Sequence, residues 1–233
     1  MGTRYWCWVL IRLGLGVAIV TGAASYLGPG SGEKEYQKTL EAMKQVHSFR
    51  VAFTANPGTQ HTEMLWEVDC NRDLLHYQWH FTDSSNPAAV VAREEFHVAN
   101  VEFDHESDGS WSRHQFPVGV RSAKAYCAKL AEGADSYVLP QIATMIKRGV
   151  LQKGDKKTVN GVRCREWLVA MRGGAPSGLE HDTICLGLQD HLPYELTTDF
   201  QNVHSSFSDY NSPIQFDMPE AVLQQATATS EPN

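Results

Sequence analysis

Ten histidines and five cysteines are the residues of this chain with the widest chemical repertoire, because imidazole and thiolate serve as bases, nucleophiles and metal ligands. Their spacing does not gather them into a reaction centre. His76 and His80 fall on one face of a strand-like run, but four residues of strand separate them by ~13 Å, too far for one zinc. His97, His105 and His114 lack metal-ligand spacing and read as solvated surface. Asp104 and Glu106, beside His105, read as a charged loop. No Gly-x-Ser-x-Gly elbow, HExxH helix or phosphate-binding glycine loop occurs, Ser110 between Gly109 and Trp111 reads as a turn residue, and no Cys-x-x-Cys pair exists. The expectation is a non-catalytic protein with no metal and no cofactor.

The cysteines instead suggest cross-links. Cys70, Cys127, Cys164 and Cys185 form an even set in a chain that carries an export label, which favours disulfides. Cys164 and Cys185 are equidistant from the middle of a turn-rich stretch, Gly173-Gly174-Ala175-Pro176-Ser177-Gly178, that joins two strands into a hairpin. Antiparallel neighbours come within bridging distance, so Cys164–Cys185 with Cys70–Cys127 is the expected pairing among three connectivities; four free buried thiols are the alternative. The label is N-terminal: Arg4 and Arg12, an apolar run Leu13–Val20, then small residues Thr21–Ala24. Cleavage is expected after Ala24. The rival is an uncleaved anchor over residues 6–27, although Arg12 interrupts it and a spanning helix needs ~20 mostly apolar residues. Cys7 lies too early for a lipid-attachment cysteine.

The formal charge of −7 comes from 20 basic and 27 acidic groups. An acidic chain without basic runs argues against nucleic acid as a partner. Its length suits one sizeable core or, at a stretch, two small ones.

The elements that must position these residues follow from hydrophobic period. Residues 25–32 are Gly-, Pro- and Ser-rich and read as a linker. Tyr36, Leu40, Met43 and Val46 are spaced for an amphipathic helix over Glu33–His47. Phe49, Val51 and Phe53, then Met64, Trp66 and Val68, then Leu75, Tyr77, Trp79 and Phe81 alternate with polar residues, the mark of strands with one greasy face. Further strands are expected at Glu94–Phe103 and around Trp111–Phe116. Helices follow at Ser122–Glu132 and Ser136–Arg148, the latter with Ile142, Met145 and Ile146 apolar. Strands resume at Gly149–Thr158, Arg163–Met171, His181–Leu188, Tyr194–Asn202 and Ser206–Tyr210, with a last one near Ile214–Met218. Residues 221–233 read as a disordered tail, leaving 33–220 as one domain. Runs of strands with segregated helices make this α+β, an antiparallel meander.

Lys156-Lys157-Thr158-Val159-Asn160-Gly161-Val162-Arg163-Cys164 resembles the strand–turn–strand of LolA-like lipoprotein-carrier proteins. Ile184–Pro193, ending in Leu192-Pro193, resembles that family's Leu-Pro strand. Phe207-Ser208-Asp209-Tyr210-Asn211-Ser212-Pro213-Ile214, closing at Pro219, is similar to the strand preceding its terminal proline. The resemblance covers residues 150–220 by motif and implies an incomplete antiparallel β-barrel, a curved sheet with helices covering the concave face, that binds acyl chains inside.

A carrier needs a greasy cavity, and burying ten methylenes would supply ~8 kcal/mol before ordering costs. The candidates to line it are Phe49, Val51, Phe53, Trp66, Leu75, Tyr77, Trp79, Phe81, Ile142, Met145 and Ile146, with Met64 and Met145 suited to an adaptable wall. The expected function is an exported periplasmic or cell-envelope carrier of a lipid or acylated lipoprotein. The alternative is an envelope-stress sensor or regulatory binding domain, anchored by residues 6–27 beside an inner-membrane partner. A third possibility is a structural protein with a closed core.

Overall fold

The computed structural model describes residues 31–86, 88, 90–132, 149–171, 182–198 and 202–228. Helix α1 (Ser31–Met43) leads into six strands: β1 (Ser48–Ala55), β2 (Gln60–Asp69), β3 (Leu74–Asp83), β4 (Val91–Val98), β5 (Val101–His105) and β6 (Trp111–Gln115). Helix α2 (Ala123–Glu132) follows. Then come β7 (Gly149–Val159), β8 (Val162–Met171), β9 (Asp182–Gly187), β10 (Pro193–Thr198), β11 (Val203–Ser208) and helix α3 (Glu220–Ala228).

All eleven strands join one open, curved sheet in the order β6-β5-β4-β3-β2-β1-β11-β10-β9-β8-β7. Every neighbouring pair is antiparallel. The two meanders are therefore stitched together where β1 meets β11. This is the α+β half-barrel outline read from the sequence.

Register explains the core. Phe49 faces Val68 and Val51 faces Trp66, Val68 faces Leu75, and Val51 faces Phe207 on the other side. Period-two side chains from β1, β2, β3 and β8 to β11 thus land on one face. There Phe49, Val51, Val68, Leu75, Trp167, Ile184, Leu186, Leu196 and Phe207 form the main core, joined by Met43 at the end of α1 and Ala123 of α2. Each fully buried large apolar side chain contributes about 1.5–3 kcal/mol against exposure.

The greasy face then changes sides. On β4 and β5 the apolar residues Phe96, Val98, Val101 and Phe103 have the opposite parity, and they pack with Trp111, Met218 and Val222 as a second core. Four expectations change here. The single strand over Glu94–Phe103 is two strands, because Ala99 turns the chain with φ +54° and its N–H donates to the Asp73 carbonyl at 2.9 Å. Residues 214–218 belong to no strand, and the polar segment from residue 221 begins within helix α3, pinned by buried Val222. At the other end, α1 begins at Ser31, inside the segment read as linker. The expected signal or anchor, the hairpin turn 173–178 and helix 136–148 lie outside the described residues, and so do Ile142, Met145 and Ile146.

Asn160 and Gly161 carry φ of +50° and +81°, the two left-handed residues of a tight hairpin turn between β7 and β8. Disulfides join Cys164 to Cys185 across β8 and β9, Cα atoms 5.6 Å apart, and Cys70 to Cys127, Cα atoms 6.2 Å apart, tying the end of β2 to α2.

Candidate functional site

The apolar candidates divide along the strands. Phe49, Val51 and Leu75 sit in closed packing; the Phe49 ring lies 6.1 Å from Tyr126 of α2 and 6.5 Å from Tyr210. They fill the core. Phe53, Met64, Trp66, Tyr77, Trp79 and Phe81 continue the same face but stay half-buried. Within this row Trp66 meets Tyr77 edge-on at 5.3 Å and Tyr126 at 5.8 Å, and Trp79 lies 6.4 Å from Phe81. The Tyr77 hydroxyl reaches the Met64 sulfur at 3.5 Å, and burial followed by the Glu95 charge raises its pKa above 10. α2 thus touches the near end of an aromatic row that runs outward from a solid core.

Two depressions border this row only in part: the first takes in Met64 and Trp79, the second none of the six. One of about 350 Å³ is lined largely by side chains of the opposite face, including Leu65, Gln78, His80 and Glu94. Another of about 510 Å³ lies among the hairpin tips, at Gly58, Thr59, Thr82 and Asp83.

Charged residues occupy each face where the apolar ones leave it. Opposite the main core, Arg50 donates to Glu67 at 2.8 Å and to Asp209 at 2.6 Å. His76 lies 2.8 Å from Glu67 through Nδ1 and 3.1 Å from Glu94 through Nε2, its ring stacked on Phe96 at 4.2 Å. On the oily face, beyond β3, the side chains become Arg93, Glu95 and His97 of β4 and Glu102 and Asp104 of β5. His97 Nδ1 is 2.8 Å from the Arg121 carbonyl. Its Nε2 is 3.2 Å from Glu95 and 3.4 Å from Glu102. Arg93 pairs with Glu95 and, at 3.1 Å, with Asp104; Arg121 pairs with Glu102 at 3.0 Å.

His97 was expected at a solvated surface; it is 8% exposed, with Glu95 at 8% and Glu102 at 3%. His105 and His114 are exposed. Asp104 lies on a strand in ion pairs rather than in a loop. The sequence carried one overlooked signal: Arg93, Glu95 and His97 share a parity, opposite to Phe96 and Val98. The carboxylate and imidazole atoms of Glu95, His97 and Glu102 lie within 4.8 Å of one another. Both carboxylates, however, are already engaged by guanidinium groups, and two arginines with an imidazolium balance Glu95, Glu102 and Asp104. That donor set suits a proton on His97 rather than a metal ion.

No known family matches the chain by sequence pattern, and no curated protein matches it. Solved structures do resemble it. The complex of Pseudomonas aeruginosa MucA and MucB is 12% identical, with a TM-score of 0.38 over 80% of this chain and 59% of that one. A LolA superfamily protein from Nitrosomonas europaea is 9% identical, with a TM-score of 0.26 over 82% and 96%. An outer membrane lipoprotein-sorting protein domain from Vibrio parahaemolyticus is 9% identical, with a TM-score of 0.28 over 84% and 99%. The chain spans 54% of a further chain solved as MucB in complex with MucA. Among the described residues no helix is long and apolar enough to cross a membrane.

Proposed function

We propose that this protein is a non-catalytic, exported carrier that binds the acyl chain of a lipid or lipidated protein along the row Phe53, Met64, Trp66, Tyr77, Trp79 and Phe81. One observation carries the reading: this row is continuous with the closed core yet stays half-buried. Large aromatic side chains gain most by full burial, so a contiguous row left partly open on a sheet face is a surface for an apolar occupant. Met64 adds an adjustable wall. Two disulfides suit an oxidising compartment, and the half-barrel outline suits a groove more than a reaction centre.

The test is uptake of a fluorescent fatty acid by the purified protein, with mass spectrometry of any lipid that copurifies. The expected result is saturable uptake, weakened about tenfold by Trp79→Ala combined with Phe81→Ala, which remove apolar contact worth a kcal/mol or more. Lack of both uptake and copurifying lipid would overturn the reading.

A further inference from the structure

Both nitrogens of His97 are committed. Nδ1 faces the Arg121 carbonyl oxygen at 2.8 Å, which only accepts, so Nδ1 carries a proton. Nε2 faces Glu95 and Glu102 at 3.2 and 3.4 Å. A bare lone pair there would confront two buried carboxylates; an N–H would donate to them. The surrounding charges come from several elements. β4 and β5 supply Glu95, Arg93, Glu102 and Asp104, and β6 supplies His114, 3.7 Å from Asp104. β3 supplies Tyr77, in register with Glu95. The segment before α2 supplies Arg121, and Asp73 and Lys124 meet at the helix start, where the Lys124 N–H donates to the Asp73 carboxylate at 2.9 Å.

We propose that protonated His97 is a pH-operated latch that holds the first turn of α2 against β4 and β5. The imidazolium joins Glu95, Glu102 and the carbonyl of Arg121, whose backbone is held at φ +58°. The next residue, Ser122, caps the helix by accepting the Ala125 N–H at 3.1 Å, and Ala123 is fully buried in the main core. The Arg121 guanidinium ties the same segment to Glu102 and lies 4.7 Å from the Phe116 ring centroid. Losing the Nε2 proton removes the attraction to Glu95 and Glu102 and leaves the Nδ1–H bond to the Arg121 carbonyl as a neutral one, roughly half as strong as the charge-assisted bond it replaces. The Cys70–Cys127 disulfide keeps the middle of α2 attached, so release is confined to residues 116–124.

Burial disfavours the His97 cation, but the bonds to Glu95 and the Arg121 carbonyl and the Glu102 charge outweigh it, raising the pKa above 6.5. A raised histidine pKa means the latch is fully closed below 6.5 and opens as pH climbs through the folded value. Opening of the first turn grows by up to about tenfold per pH unit between those two points.

The experiment needs no ligand, so its outcome is separate from that of the carrier reading. NMR of His97 in the unliganded, disulfide-intact protein is followed from pH 5 to 9, with hydrogen-exchange protection factors for the amides of residues 121–125. The expected result is a His97 midpoint above 6.5 and a parallel loss of protection; His97→Gln makes protection independent of pH over this range. Should His97→Gln fail to fold, Glu102→Gln is expected to lower the midpoint and move the protection curve with it. A midpoint at or below 6.5, protection flat with pH in the unmodified protein, or a chelator-induced shift of the His97 resonances would each overturn the latch.

Discussion

Glu67 is a carboxylate that the fold buries without isolating it. Burial pushes its pKa up, but hydrogen bonds from His76 and Arg50 outweigh that and hold it below 4.5. A lowered carboxylate pKa contributes stability that is present above 4.5 and lost as pH falls through the folded value. Replacing Arg50 by Ala leaves Glu67 buried with His76 as its remaining partner and Asp209 without its guanidinium. The expected cost is about 2–3 kcal/mol at pH 7, read as a lower urea midpoint with an unchanged slope. The gap between Arg50→Ala and the unmodified protein should narrow as pH falls through the folded-state value, because Glu67 then takes up a proton and its pairing with Arg50 is lost. An equal gap above and below that value would assign Arg50 a packing role instead. Such networks were illegible in the sequence: Arg50, Glu67 and His76 lie on three strands, and only register sets them side by side.

At the scale of elements, legibility depended on how much each segment's own pattern decided. β1 to β3 were readable because apolar side chains alternate with mostly polar ones, even where the polar face buries Glu67, Asp69 and His76. The β4–β5 hairpin was not, because its turn is Ala99-Asn100 without Gly or Pro, and its left-handed Ala99 is fixed by the bond its N–H donates to the carbonyl of Asp73, in the turn between β2 and β3. α3 was missed because only Val222 of its first turn needs a core. The disulfides are the element-scale devices that secure this long-range pairing. Cys164–Cys185 closes a loop with a sequence separation of 21, and Cys70–Cys127 one of 57. Loop-closure entropy then puts the losses on removing them at about 3 and 4 kcal/mol. Paired alanine variants, Cys164→Ala with Cys185→Ala and Cys70→Ala with Cys127→Ala, measured by denaturant unfolding, check both values. The second pair should also free α2, seen as lower hydrogen-exchange protection at residues 123–128. Unchanged protection there would mean that Ala123, Tyr126 and the His97 contacts hold the helix by themselves.

For the whole molecule, the main consequence is that one continuous sheet has its greasy side on opposite faces at its two ends. The β1 to β3 and β8 to β11 portion packs under α1 and α2; the β4 to β6 portion packs under the chain from Met218 into α3. A sheet can do this because side-chain parity is set strand by strand, and it lets β4 and β5 present charge where β1 to β3 present aromatics. The cost is that the second core is small and depends on a short helix far along the chain. Val222 is fully buried against Phe96, Val101 and Phe103, so Val222→Asp places a charge with no described partner among three apolar walls. About 3 kcal/mol of destabilisation is expected, with Val222→Ala near half of that. If the two cores are as separable as their opposite faces imply, hydrogen exchange in Val222→Asp should accelerate in β4 to β6 while β8 to β10 keep their protection. Acceleration of equal size throughout the sheet would show instead that the two ends unfold as one cooperative unit, with strand pairing across β3 and β4 stronger than the separation of their cores.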